Sequence, residues 1–158
     1  MIIRQARSTE IRTLAALGVI AWEQAFAAAG EVTNHLREKA EATYFGFCEQ
    51  YWPIIIAAEI DGETVGWAAL EAGQNKITDV WVLPNFQRHG IGTALLLELE
   101  QQAVSREFDE VFLETHAKNT PALSFFKKHE YTISGLKSAY SPTMDKSVDT
   151  LEMRKRFN

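Results

Sequence analysis

A chain of 158 residues that is 46% apolar and 23% charged suits one globular domain, residues 1–158, burying about two thirds of the surface its unfolded chain exposes. A net charge of −5 argues against nucleic acid, whose phosphates need clustered Lys and Arg, and suits a cationic partner such as an amine. One cysteine, Cys48, excludes an internal disulfide, and His35, His89, His116 and His129 lack ligand spacing, so no metal is expected.

MIIRQARSTE has no apolar stretch long enough for a signal peptide, and no run reaches the roughly 20 residues of a membrane helix, so a cytoplasmic protein with no membrane partner is expected. Met1 to Arg7 reads as a short strand, ended by Ser8 or Thr9, either able to cap a helix with Glu10 in its first turn. That helix carries Ile11, Leu14, Ala15, Trp22, Ala25 and Phe26 and runs to Gly30. A second helix, capped by Thr33, spans Asn34 to Glu49, with Leu36, Ala40, Tyr44, Phe47 and Cys48 turned inward, until Pro53 breaks it off. Ile54 to Ala58 is a strand apolar on both faces, Asp61-Gly62 is a hairpin signal, and Thr64 to Leu70 is the returning strand. After a turn at Gly73 to Asn75, Ile77 to Leu83 is β-branched and aromatic, and Pro84, which cannot donate to a ladder, ends it.

Gln87-Arg88-His89-Gly90-Ile91-Gly92-Thr93 follows, and then Ala94, Leu95, Leu96, Leu97, Leu99 and Ala103 form a helix with an apolar face. A glycine loop at a helix N-terminus leaves backbone N–H groups unpaired and adds the positive end of the helix dipole, which makes a site for an anion, phosphate above all. The absent side chains at Gly90 and Gly92 let a ligand reach the backbone, and Arg88 and His89 add charge from the flank. A plain tight turn with small residues for helix packing is the other reading of the same spacing. No Gly-Lys-Ser/Thr follows, so it is not a P-loop, and Thr93 stands where a dinucleotide fingerprint needs a third glycine.

Val111 to Thr115 is a strand placed parallel to its predecessor by the helical crossover. Thr120-Pro121, cap and first-turn proline, starts a helix that runs to about His129. Tyr131 to Leu136 and Val148 to Arg156 close the chain as a pair of strands around a longer loop, Ser138 to Ser147, and the basic Arg154-Lys155-Arg156 is a solvated strand end. The order β α α β β β α β α β β makes an α/β (α+β) protein.

Gln87-x-x-Gly90-x-Gly92 after Val80-Trp81-Val82-Leu83-Pro84 resembles the acyl-CoA pyrophosphate loop of the GNAT superfamily of N-acetyltransferases. Asn119-Thr-Pro-Ala122-Leu-Ser-Phe125-Phe126-Lys127-Lys128-His129-Glu130-Tyr131 is similar to that superfamily's Asn-x-x-Ala-x-x-Phe-Tyr-x-Lys-x-Gly-Phe helix. Leu113-Glu114-Thr115 before Asn119, with Tyr140-Ser141-Pro142 and Asp149, resembles the ribosomal-protein N-alpha-acetyltransferases within it. Two departures stand out: Phe126 occupies the position of a tyrosine general acid, and Glu130 that of a glycine, where a left-handed cap suits a side chain less well.

The resemblance implies a GNAT-like mixed, mostly antiparallel seven-stranded sheet flanked by four helices, with acetyl-CoA as co-substrate between the two parallel strands. Backbone groups at Val80, Trp81 and Val82 would hold the pantetheine, and Gln87 with the amides of Arg88, His89, Gly90, Ile91, Gly92 and Thr93 the pyrophosphate. Asn119, Phe126 and Lys128 would line the cofactor. Transfer to a primary amine by direct attack in a ternary complex then needs a base, since an amine of pKa about 7.7 to 10.4 is mostly protonated at neutral pH. Glu114, at the inner end of the parallel strand, and Asp79 are the candidate bases. Tyr140 and Tyr131 are candidate replacements for the missing acid, and Trp22, Phe26 and Tyr44 for framing the acceptor. That acceptor is a peptide N-terminus, a lysine or a small amine, and the chain is a monomer or a homodimer. The alternatives are an acyl-CoA-binding or regulatory module with little transferase activity, which Phe126 permits, and a generic phosphate-ligand domain.

Overall fold

The computed structural model describes residues 1–27, 30 and 32–158. Seven strands form one sheet: β1 (Ile2–Gln5), β2 (Ile55–Ile60), β3 (Glu63–Leu70), β4 (Lys76–Val82), β5 (Glu110–His116), β6 (Thr132–Ser141) and β7 (Lys146–Arg156). Their order across the sheet is β1-β2-β3-β4-β5-β7-β6, and among the described residues β4–β5 is the one parallel pair. Four helices flank it: α1 (Ile11–Ala27), α2 (Asn34–Tyr51), α3 (Ile91–Ser105) and α4 (Thr120–Lys128). Among the described residues no helix is long and apolar enough to cross a membrane.

Strand alternation and helix periodicity sort the apolar residues onto the two faces of this sheet. On one face Leu95, Leu96, Leu99 and Ala103 of α3 and Phe126 of α4 pack on Ala68, Leu70, Ile77, Val82, Val111 and Leu113. On the other, Leu14, Trp22 and Phe26 of α1 and Ala40, Tyr44 and Cys48 of α2 pack on Ile55, Trp67 and Ala69. The four-residue spacing of Ala40, Tyr44 and Cys48 gives α2 a narrow buried stripe, flanked by the partly buried Leu36 and Phe47. Trp67, fully buried on β3, donates its indole N–H to the Leu14 carbonyl at 2.9 Å, so the sheet and α1 share a satisfied polar bond inside the second core.

Several boundaries differ from the sequence reading, each for a local reason. The cap of α1 is not a Ser8 or Thr9 hydroxyl: a short 3-10 turn, Ser8–Glu10, precedes the helix, and the Glu10 carboxylate accepts the Arg7 N–H. The expected run of that helix to Gly30 falls partly outside the described residues. Thr33 does cap α2, accepting the Leu36 N–H. Asn119, rather than Thr120, caps α4 by accepting the Ala122 N–H. The expected loop at 138–147 is mostly strand, because β6 and β7 pair from Thr132↔Arg154 to Ser141↔Lys146, with one register shift between Ile133 and Gly135, around a tight turn. Its Ser, Ala and Tyr side chains lie on an edge strand with no apolar alternation to announce it. The basic end of β7 is paired as well as solvated: Arg154 reaches Glu110 and lies over the Phe112 ring, Lys155 reaches Glu100, and Arg156 reaches Asp109.

A polar cluster fastens the start of the chain to the sheet. The Arg4 guanidinium grips Glu10 through two nitrogens, at 2.6 and 2.9 Å, and Glu59 through a third at 3.0 Å, while Thr64 donates to Glu10 at 2.8 Å. These groups are largely shielded from water, and the Arg4 bonds hold the Glu10 carboxyl at about 2, below its ordinary 4.5. A carboxyl whose pKa falls on folding stabilises the fold above its unfolded value, and that contribution is lost as pH drops through the folded one. Glu10→Gln should therefore cost roughly 2 kcal/mol at pH 7, about 5 °C in melting temperature. The gap between parent and variant melting curves should shrink between pH 4.5 and pH 2; a gap independent of pH over that window would refute the assignment.

Candidate active site

The central feature is a parting of the sheet. β4 and β5 pair only at Lys76↔Phe112 and Ile77↔Leu113. Beyond those residues β4 stays on β3 as far as Val82, and β5 stays on β7 as far as His116. The register between β3 and β4 jumps from Ala69↔Asp79 to Leu70↔Ile77, which leaves Thr78 as an extra residue on β4. A bulge of this kind bends its strand, and it sits at the residue where β4 leaves β5. Thr78 to Val82 and Glu114 to His116 thus face one another across an opening in the middle of a sheet. One row of backbone groups on each wall lacks a strand partner and is open to a ligand that bears its own amides.

Where β4 ends, the chain passes through a short turn into the glycine loop that opens α3. Pro84–Phe86 is a 3-10 turn, and the Gln87 side-chain amide donates back to the Val82 carbonyl at 3.0 Å and to the Gln24 Oε1 of α1 at 2.9 Å. Gln87 therefore fixes the loop against the strand end and α1. Arg88 and Gly90 both take left-handed backbone, with φ of 65° and 80°, and α3 begins at once with Ile91, whose side chain is buried and anchors the turn. The N–H groups of Ile91, Gly92 and Thr93 belong to a first turn and have no carbonyl four residues back. A Cβ on Gly92 would stand 3.2 Å from the Phe125 ring, so glycine lets α3 approach α4 closely here. The Phe125 ring lies 4.7 Å from His129, whose Nε2 is 3.1 Å from the Thr93 hydroxyl. First-turn backbone donors, a helix N-terminus, an absent side chain and the flanking, exposed Arg88 and His89 suit a diphosphate.

The α1/α2 side of the opening carries the candidate bases. Val111 and Leu113 face α3, so Glu114 and His116 alternate to the other face, where the His116 ring meets Phe26 at 5.2 Å. Lys76, Thr78, Glu114, His116, Tyr140 and Thr150 line a cavity of about 290 Å³ that spans the parting. The Glu114 carboxylate lies 3.1 Å from Lys137 Nζ and 3.6 Å from Lys76 Nζ. Asp79, half-buried on β4, accepts the Trp81 indole N–H at 3.0 Å, and burial raises its pKa. The Tyr44 ring stands edge-on to Trp81 at 5.5 Å.

Other expected site residues occupy different surroundings. Trp22, Phe26 and Tyr44 are buried in the second core, with the Trp22 indole N–H left without a partner there. Phe126 is buried against Phe125 and Tyr131. The Tyr131 hydroxyl donates to buried Glu100 at 2.7 Å, and its pKa is driven upward by burial and that bond, so its proton is unavailable to a departing thiol. Tyr140 lines the cavity, yet its hydroxyl donates to Asp145 at 2.7 Å, which raises its pKa too. Asp145 sits at the β6–β7 turn and also meets His35 and Lys39 of α2, while Met144 beside it is buried under α1 and α2. Asn119 is buried with its oxygen used as a helix cap, and Lys128 is exposed at the end of α4. Gln24, Phe125, His129, Lys76 and Lys137 were not marked by the sequence as site residues. The four-residue spacing of Phe125 and His129 was the one available signal.

The model of the Acetyltransferase (GNAT) family matches residues 14–131. The chain is 31% identical over 114 residues to an N-alpha-acetyltransferase of Sulfurisphaera tokodaii, covering 60% of this chain and 68% of that protein. It is 29% identical over 75 residues to the [ribosomal protein bS18]-alanine N-acetyltransferase of Escherichia coli, covering 48% of this chain and 51% of that protein, about half the relative's length. The crystal structure of the PaiA N-acetyltransferase of Thermoplasma acidophilum in complex with coenzyme A shares the fold with a TM-score of 0.77 at 20% identity, over 99% of this chain and 98% of that one. The parted strands, the glycine loop opening α3 and the matched span agree: this chain belongs to the GNAT family and is an acetyl-CoA-dependent N-acetyltransferase.

Proposed function

We propose that the acceptor is the free α-amine of a peptide or protein, acetylated by direct attack in a ternary complex with Glu114 as the base. The observation that carries this reading is the position of Glu114, a carboxylate in the wall of a cavity that spans the parting of β4 and β5. The N-alpha-acetyltransferase name of the Sulfurisphaera relative supports the choice of acceptor.

Acetyl-CoA supplies an activated acyl group as its thioester. The first-turn amides of α3 at Gly92 and Thr93 suit its diphosphate, and the open backbone of Thr78 to Val82 suits its pantetheine amides, so that the acyl end lies beside Glu114. An α-amine of pKa about 7.7 to 8.0 loses its proton readily near neutrality, and an adjacent carboxylate accepts it. Cys48 takes no part as an acyl carrier, because it is fully buried and its thiol is pushed up to about 12 by burial, which removes the thiolate. A second reading places the base at Asp79, favoured by the upward shift that burial gives its carboxyl. The thiol departs without an acid, since Phe126 has no proton and those of Tyr131 and Tyr140 are held by Glu100 and Asp145. A thiolate of pKa about 8.5 is a tolerable leaving group, and the missing acid costs about 10² or more in rate. Tyr140, expected from the sequence as a replacement acid, is assigned here to the cavity wall.

Thiol release from acetyl-CoA with a panel of peptides, polyamines and amino acids tests the acceptor. Peptide-dependent release supports the reading, and binding without amine-dependent release favours a regulatory acyl-CoA-binding module. Glu114→Gln should lower kcat about 100-fold with little change in coenzyme A affinity, and Asp79→Asn less than about tenfold; the reverse ranking moves the base to Asp79. Gly92→Val, which sets a side chain against Phe125 and over the amides, should weaken coenzyme A binding at least about tenfold by calorimetry. Unchanged affinity would remove the loop from the coenzyme site.

A further inference from the structure

The carboxylate assigned as the base already holds an amine. Lys137 projects from β6, across β7 from Glu114, and its ammonium donates a hydrogen bond to Glu114 Oε1 at 3.1 Å. Its side chain is 55% exposed, so its long stem can move while the head remains near the cavity that Glu114 lines. Lys76 approaches the same oxygen at 3.6 Å, but it starts from the closed end of the parting, where β4 is still paired with β5 at Phe112. Lys137 comes from the open side, from which an external acceptor would also approach.

We propose that Lys137 is an internal acceptor, a site of self-acetylation that is used when no better amine occupies the cavity. The inference rests on Glu114 acting as the base. Glu114 takes a proton from the Lys137 ammonium, and the nitrogen lone pair attacks the thioester carbonyl carbon. The N–C bond forms as the C–S bond breaks. Of the two protons the nitrogen loses, one ends on the coenzyme A sulfur and the other leaves through Glu114 to solvent. A lysine amine has a pKa of about 10.4, some two and a half units above an α-amine, so at one pH it offers roughly 300-fold less free base. Self-acetylation is therefore slow beside turnover of a peptide, stops after one event per chain, and replaces a cation beside Glu114 with a neutral amide.

The test is incubation of the full chain with acetyl-CoA at pH 8 without acceptor, followed by intact mass and peptide mapping over time. A single acetyl group should accumulate on Lys137 at a rate independent of protein concentration, at least about tenfold faster than on the exposed Lys127 and Lys146, and slowed by a competing peptide. Lys137→Arg should abolish the fast phase, and Glu114→Gln should remove it while leaving the slow background. Peptide turnover with no preference for Lys137, or a rate that rises with protein concentration, would overturn the internal acceptor and leave the proposed function standing. Glu114→Gln with both peptide turnover and Lys137 acetylation intact would overturn the assignment of the base itself.

Discussion

One extra residue on one strand shapes the site. The bulge at Thr78 bends β4 away from β5 just where their pairing stops, and the sheet stays whole because each strand keeps its other neighbour. Unpaired backbone in the middle of a sheet is costly unless something hydrogen-bonds to it. The opening is therefore the natural seat for an extended chain of amides, and pantetheine is such a chain. The glycine loop at the end of the same strand opens α3, so one strand with its following turn borders both the parting and the first-turn N–H groups of that helix.

The two sides of the parting differ in chemistry. Towards α3 and α4 it is apolar, and its aromatic rings are committed to packing: Phe126 on Tyr131, and Phe125 on His129 and the bare face of Gly92. Towards α1 and α2 it bears Asp79, Glu114 and His116, with the β6–β7 turn fastened to α2 through Asp145 and the buried Met144. An apolar wall on one side and carboxylates on the other thus border the same opening. Glu130 takes the left-handed backbone at the end of α4, with φ of 72°, where the resemblance sets a glycine. The chain there turns Tyr131 inward onto Glu100, and Lys155 completes a cluster that joins α3, the turn after α4 and β7.

Composition and periodicity determined the order of elements and the strand-loop-helix unit from Lys76 to Arg106, because alternation, glycine spacing and a proline stop are local properties. The second motif, from Asn119 to Tyr131, was likewise readable as a helix with its partner turn. Tertiary structure alone decided the rest. The bulge at Thr78 depends on how β3 pairs with β4. The Lys137 and Lys76 contacts with Glu114 bring together residues from three strands, and the fates of the Tyr131 and Tyr140 protons depend on Glu100 and Asp145. Sequence records which side chains a strand offers, but which groups meet across a sheet is set by register and by the faces to which folding assigns them.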